Sequence, residues 1–107
     1  MWKPFDNGAP FGLKGSESGE TIRDEEHVQG ARITLEKNAA IAPFAITCGI
    51  YGWMVHTRFF ATEVEARAEY DKMKASLSEI VERFSDPTYD DRRATEKAME
   101  AFVETYP

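Results

Sequence analysis

A regular apolar stripe between Thr62 and Ser85 constrains the fold more than any other feature of the sequence. Its members recur at steps of three and four residues, which places them along one side of an α-helix; they are Ala66, Tyr70, Met73, Leu77, Ile80 and Phe84. Thr62 followed three residues later by Glu65 is typical of a capping box at a first helical turn. The pattern therefore predicts an amphipathic helix that buries one side against the rest of the chain.

Three extended runs precede this helix and provide a surface for it to cover. From Ala31 to Lys37, apolar and polar residues alternate as they do in a half-buried β-strand. Apolar runs follow from Ile41 to Tyr51 and from Trp53 to Phe60, and Gly52 between them indicates a hairpin. The three runs predict a small antiparallel sheet.

A two-residue turn at Tyr51 and Gly52 would fix the register of this hairpin. The cross-strand pairs would then be Ile50 with Trp53, Cys48 with Val55, Ile46 with Thr57 and Phe44 with Phe59. In this register Phe44, Ile46, Val55 and Phe59 lie together beneath the helix. Tyr51 disfavours the positive φ that such a turn requires, so a longer loop is the alternative, and a shift of one residue would move every pair to the opposite face.

These elements predict an α+β fold, a three-stranded antiparallel β-meander packed against two C-terminal α-helices. Asp86-Pro87 would end the first helix, and the second is expected from about Thr88 to Thr105, with Thr88 and Asp91 as its cap. Residues 31–107 would form the single α+β domain. Residues 1–30 contain five of the seven glycines and several aromatic residues. They predict an irregular Gly/aromatic N-terminal arm that docks in part, with an added short strand as an alternative.

Charge and cysteine content narrow the possible partners and location. The net charge of −6 repels a phosphate backbone, so no nucleic-acid partner is expected. No apolar stretch approaches the roughly 20 residues that span a bilayer, and the first residues do not resemble a signal peptide. A single cysteine, Cys48, cannot close an intrachain disulfide, which favours the reducing cytoplasm. Its position among apolar residues predicts a buried, unreactive thiol.

The usual catalytic and metal-binding motifs are missing from the sequence. It contains no glycine-rich phosphate loop, no HExxH and no CxxC, so no catalytic residue, metal ligand or cofactor is assigned. The acidic run from Asp24 to His27 could offer metal ligands, but neighbouring residues of an extended chain point in opposite directions. A solvated loop is the simpler interpretation of that run.

Candidate ligand-binding residues lie on the second face of the predicted sheet. The expected register places His56 there opposite Thr47, with Arg58 two residues along, and Tyr51 at the turn is the fourth candidate. A neighbouring cation favours neutral imidazole, which could hold an anion or act as a base. This face also carries Ala45, Gly49, Met54 and Phe60, so it is mixed rather than charged and something is expected to cover it.

The leading functional hypothesis is a small acidic, non-enzymatic protein that acts by self-association, as a homodimer, or by binding a protein partner. A small core gains stability from dimerisation, and the Phe44 to Ile50 run could pair between subunits if it were an edge strand. The alternative is a small enzyme or ligand-binding protein with a pocket near His56 and Arg58, between the arm and the second sheet face. A weaker alternative is an acidic inhibitor that mimics nucleic acid.

Overall fold

The computed structural model describes residues 1–84 and 92–107 of the chain. Within this part the protein is an α+β fold of one antiparallel sheet and two helices. The strands are β1 (Trp2–Pro4), β2 (Glu20–His27), β3 (Ala31–Lys37), β4 (Phe44–Ile50) and β5 (Met54–Phe60), and the helices are α1 (Glu63–Phe84) and α2 (Arg92–Thr105). No helix of the described ranges is long and apolar enough to cross a membrane.

The sheet has five strands rather than the three predicted from the sequence, although the predicted α+β class is confirmed. Strand order follows chain order, β1-β2-β3-β4-β5, so every strand pairs only with its neighbours in the chain. The two additional strands come from residues 1–30, where an irregular arm was expected. Within that segment, residues 5–19 and 28–30 lie between strands, and the first of these stretches includes a short 3-10 turn at Phe5–Gly8.

Helix α1 covers one face of the sheet and forms the core with it. The predicted stripe is largely confirmed, because Tyr70, Met73 and Leu77 are fully buried against the inward side chains of β3 and β4, which are Ala31, Ile33, Leu35, Ile46, Cys48 and Ile50. The Thr62 hydroxyl accepts a hydrogen bond from the backbone N–H of Glu65 at 3.3 Å, as the capping box predicted.

Helix α2 completes the core at the end of the chain. Its buried residues Thr95, Met99 and Phe102 face inward, and Tyr106 follows them into the core. The predicted helix stop at Asp86-Pro87 and the predicted cap at Thr88 and Asp91 lie outside the described residues.

The predicted register of β4 and β5 is wrong by one residue. Three residues, Tyr51 to Trp53, form the loop, in which the Trp53 N–H donates to the Ile50 carbonyl at 2.9 Å and Gly52 takes a φ of 81°. Ile50 therefore pairs with Met54, Cys48 with His56, Ile46 with Arg58 and Phe44 with Phe60. The shift exchanges the two faces of β5, so Val55 and Phe59 lie on the side away from α1.

Candidate functional site

The face of the sheet opposite α1, called the open face below, carries a row of polar side chains at its centre. Alternation along the paired strands places the same set on this side: Thr21, Asp24, Glu26, Arg32, Thr34, Glu36, Ala45, Thr47, Gly49, Val55, Thr57 and Phe59. Several of them are buried although neither α1 nor α2 covers them, and residues 5–19 lie over part of this face.

An ion pair between Asp24 and Arg32 lies near the middle of the open face. Asp24 is 1% exposed, and its two carboxylate oxygens accept hydrogen bonds from Arg32 Nε at 2.9 Å and Arg32 Nη2 at 2.6 Å. The Thr34 hydroxyl donates a third hydrogen bond to Asp24 at 3.1 Å. The bond to Asp24 outweighs partial burial and raises the pKa of Arg32, and the guanidinium stacks 3.5 Å from the centre of the Phe5 ring.

A buried carboxylate, Glu36, attaches the N-terminal loop to the open face. Glu36 is fully buried and accepts hydrogen bonds from the backbone N–H groups of Glu17 at 3.2 Å and Gly19 at 2.9 Å. Gly15 passes so close that a Cβ there would lie 2.4 Å from the Glu36 carboxyl carbon. The loop therefore needs glycine at this position. Held by Glu36, the N-terminal loop forms a fixed wall on the open face of the sheet.

Between this wall and the β4–β5 turn lies a pocket of about 770 Å³, called the open-face pocket below. Lys14 and Ser16 line it on the side of the N-terminal loop, and Tyr51 and Trp53 line it on the side of the turn. Asp24, Arg32, Thr34, Thr47 and Gly49 contribute to its sheet side. The pocket thus has a polar floor and an aromatic rim.

Hydroxyl groups connect the pocket floor to its wall. The Thr47 hydroxyl lies 3.3 Å from the Thr57 hydroxyl and 3.5 Å from that of Ser16. On the rim, the Tyr51 hydroxyl donates to Glu26 at 2.7 Å, while burial and this hydrogen bond raise the pKa of Tyr51 to about 12. Tyr51 is therefore a neutral phenol at physiological pH, with its ring held in place by Glu26.

Two of the four predicted ligand-binding residues line the open-face pocket and two do not. Thr47 and Tyr51 belong to it. His56 and Arg58 lie on the helix-covered side because of the one-residue shift in β5, so the structure does not bring the four together. The His56 Nε2 contacts the backbone carbonyl of Tyr106, and Arg58 pairs with Glu69 at 3.0 Å. These two side chains attach the end of the chain and α1 to β5.

The sequence analysis missed the ion pair that the pocket is built around. Asp24 was assigned to a solvated loop, and Arg32 was treated only as an outward residue of a strand. A signal was present, because a turn at residues 28–30 ending in Gly30 would place Glu26 beside Arg32 and Asp24 beside Thr34, as observed. Within residues 1–84 and 92–107, no three His, Cys, Asp or Glu side chains are grouped to hold a metal ion.

Comparisons with known protein families, with curated proteins and with solved structures find no match for this chain.

Proposed function

We propose that the protein binds a small organic molecule in the open-face pocket. The observation that carries the proposal is the pocket itself, since its volume of about 770 Å³ falls within the roughly 300–1,000 Å³ that is typical of small-molecule sites. Such sites combine an apolar or aromatic lining with a few fixed polar groups, and the open-face pocket offers both.

The polar groups of the pocket are held in place by other protein groups, which favours binding with little rearrangement. Asp24 is oriented by Arg32 and Thr34, and Glu36 holds the N-terminal loop on the sheet. These contacts support a pocket that exists before the ligand arrives.

The same contacts favour binding over catalysis. Both oxygens of Asp24 accept hydrogen bonds from Arg32, so the carboxylate is already occupied by the protein's own donors rather than free to act on a substrate. Burial raises the pKa of the nearby Cys48 thiol to about 12, so this residue is a poor nucleophile. We therefore propose a non-enzymatic role, and the lone cysteine supports a location in the reducing cytoplasm.

The two tryptophans of the chain allow a direct test. Trp53 lies at the pocket rim, whereas Trp2 donates to the Ser78 hydroxyl at 2.6 Å beside α1. A screen of small aromatic and aliphatic compounds is expected to find ligands that quench the emission of the Trp2→Phe variant, in which only Trp53 reports. The same ligands are expected to leave the emission of Trp53→Phe unchanged. Equal quenching in both variants, or none from any compound, would contradict the proposal.

A second candidate function, self-association, has its own supporting observation. β5 is an edge strand that pairs only with β4 in the described part of the chain, and it exposes Val55 by 80% and Phe59 by 41%. We propose that two copies pair along β5, because exposed apolar edge strands are templates for pairing. The earlier expectation that the Phe44 to Ile50 run could lie outermost is wrong, since β4 lies between β3 and β5.

Light scattering after size-exclusion chromatography tests this candidate. The wild-type protein is expected to elute with the mass of a dimer at micromolar concentration, and Phe59→Lys is expected to elute as a folded monomer. Val64→Lys is a matched control, because Val64 is 83% exposed and belongs to the first turn of α1 rather than to β5. A monomeric wild type, or an unchanged dimer in Phe59→Lys, would overturn self-association through β5.

A further inference from the structure

We infer that the ligand of the open-face pocket is a flat aromatic compound that carries an oxyanion, a carboxylate or a phosphate. This inference rests on the proposed function and adds the chemical class of the ligand. It is carried by three observations: the unused donors of Arg32, the charge of the pocket lining and the aromatic rim.

Arg32 has hydrogen-bond donors to spare. A guanidinium carries five N–H donors, and only Nε and one N–H of Nη2 are used by Asp24 in the described structure. The remaining donors belong to the two terminal nitrogens, which together match the geometry of a carboxylate or phosphate. The face of the guanidinium is stacked on Phe5 and its inner edge is held by Asp24, so its orientation is fixed before a ligand binds.

The charge of the lining favours an anion. Its charged side chains are Lys14, Asp24 and Arg32, which sum to +1 in a protein whose net charge is −6, and Glu26, beside Arg32 but outside the lining, accepts a hydrogen bond from Tyr51. The charge of Asp24 is neutralised by Arg32, and Lys14 has no ion-pair partner among the described residues. Because the overall charge repels anions, a cationic lining in this place points to a specific anionic ligand rather than to general attraction.

The aromatic rim of the pocket favours a flat, aromatic ligand. Tyr51 and Trp53 lie on the β4–β5 turn and remain 51% and 42% exposed, although aromatic side chains of this size are usually more buried. Both rings can stack against an aromatic ligand that extends from the oxyanion near Arg32 towards the turn. Arg32 and both rings line the same pocket, so a single ligand can contact all three.

A pair of fluorescent probes that differ in one group tests the inference. 1-Anilinonaphthalene-8-sulfonate carries an oxyanion, and N-phenyl-1-naphthylamine has the same ring system without it. We expect the sulfonate to bind at least tenfold more tightly than the amine. We expect Trp53→Ala to weaken the binding of both probes, because both are expected to stack on the aromatic rim.

The variant Lys14→Gln distinguishes the contribution of the anion contact to probe binding from the contribution of the aromatic rim. Because Lys14 is exposed, its substitution is expected to weaken the binding of the sulfonate by roughly threefold to tenfold. The affinity for the neutral amine is expected to stay unchanged. Lys97→Gln is the matched control, because Lys97 is an exposed lysine of α2 outside the pocket lining, and it is expected to change neither probe. An equal effect of the two lysine substitutions on the sulfonate would overturn the inference.

Competition against the bound sulfonate distinguishes the two oxyanions. 1-Naphthoate and 1-naphthyl phosphate are expected to displace it at lower concentration than neutral 1-naphthol, and the stronger of the two acids identifies the oxyanion. If 1-naphthol competes as well as both acids, the inference that the ligand is an anion is wrong, but the proposal that the pocket binds a small molecule is not affected. If none of the probes binds, or Trp53→Ala changes none of them, the proposed ligand-binding function itself fails.

Discussion

At the scale of single residues, two buried carboxylates organise the open face in different ways. Asp24 is stabilised by the charge of Arg32, whereas Glu36 has only backbone N–H donors as hydrogen-bond partners among the described residues. A buried carboxylate is costly unless such partners replace water. Glu36 therefore holds the N-terminal loop against the sheet, and the wall that this loop forms beside the pocket depends on Glu36.

Glu36→Ala is expected to lower the free energy of unfolding by about 1–3 kcal/mol, because the N–H groups of Glu17 and Gly19 lose a charged acceptor. Residues 14–19 are expected to become more susceptible to proteolysis. Urea unfolding and limited trypsin digestion would measure both effects. Glu20→Ala is the control, because Glu20 is an exposed residue of β2 that pairs with Lys37 at 3.5 Å. Similar losses in both variants would contradict this role for Glu36.

The Cys48 thiol is expected to be unreactive in the folded protein. It is 2% exposed, and burial raises its pKa to about 12, so the thiol stays protonated at pH 8. We expect its reaction with a chromogenic disulfide reagent at pH 8 to be at least a hundredfold slower in buffer than in guanidinium chloride. Comparable rates in the two solvents would show that the thiol is accessible, contrary to this expectation.

At the scale of elements, α1 and β3 are predictable because their patterns follow a single period, and β4 and β5 are predictable as apolar runs on either side of Gly52. β2 is not, because its inward positions carry Arg23 and Glu25, which face α1 instead of solvent. The Tyr70 hydroxyl donates to Glu25 at 2.9 Å, and the Lys74 ammonium donates to it at 2.7 Å. A hydrophobicity pattern cannot reveal a strand whose buried polar groups are satisfied by another element.

The pocket is only partly predictable for a related reason. Thr47 and Tyr51 belong to a run whose alternation places them, whereas the faces of β5 depend on one residue of loop length. Tyr51 resists a two-residue turn, and the observed loop includes Trp53 and leaves the positive φ to Gly52. His56 and Arg58 therefore take the opposite face from the one expected.

Two lysine substitutions in β5 test its register. Val55 is 80% exposed, so Val55→Lys is expected to change the free energy of unfolding by less than about 0.5 kcal/mol. Phe60 is 5% exposed in the core, so Phe60→Lys is expected to cost more than about 3 kcal/mol. Urea denaturation followed by circular dichroism measures both. A larger loss of unfolding free energy for Val55→Lys than for Phe60→Lys would contradict the observed register and support the one predicted from the sequence.

At the scale of the whole molecule, Glu25 links the N-terminal half of the sheet to α1. It accepts hydrogen bonds from Tyr70, Lys74 and Arg23, the last at 2.9 Å. Burial alone would raise the pKa of Glu25, but the hydrogen bonds from Lys74 and Tyr70 outweigh it and the net pKa is lowered. The charged form therefore stabilises the folded chain.

This lowered pKa predicts a loss of stability in acid. The contribution of Glu25 is complete above its unfolded pKa of about 4.3 and is lost as the pH falls through the lower pKa of the folded state. Glu25→Gln is expected to lower the melting temperature at pH 7, and the difference from wild type is expected to shrink below about pH 4. Thermal unfolding from pH 7 to pH 3 measures it. A difference that stays constant with pH would contradict the assignment.

The identity of strand order and chain order has a consequence for how the chain acquires its structure. Each strand after the first pairs with the strand synthesised just before it, so no pairing crosses an intervening strand. Chains dominated by such short-range pairings refold faster than sheets with crossovers. During synthesis the meander can assemble hairpin by hairpin at the ribosome, and α1 emerges only after all five strands, when the sheet face that it covers can already be formed.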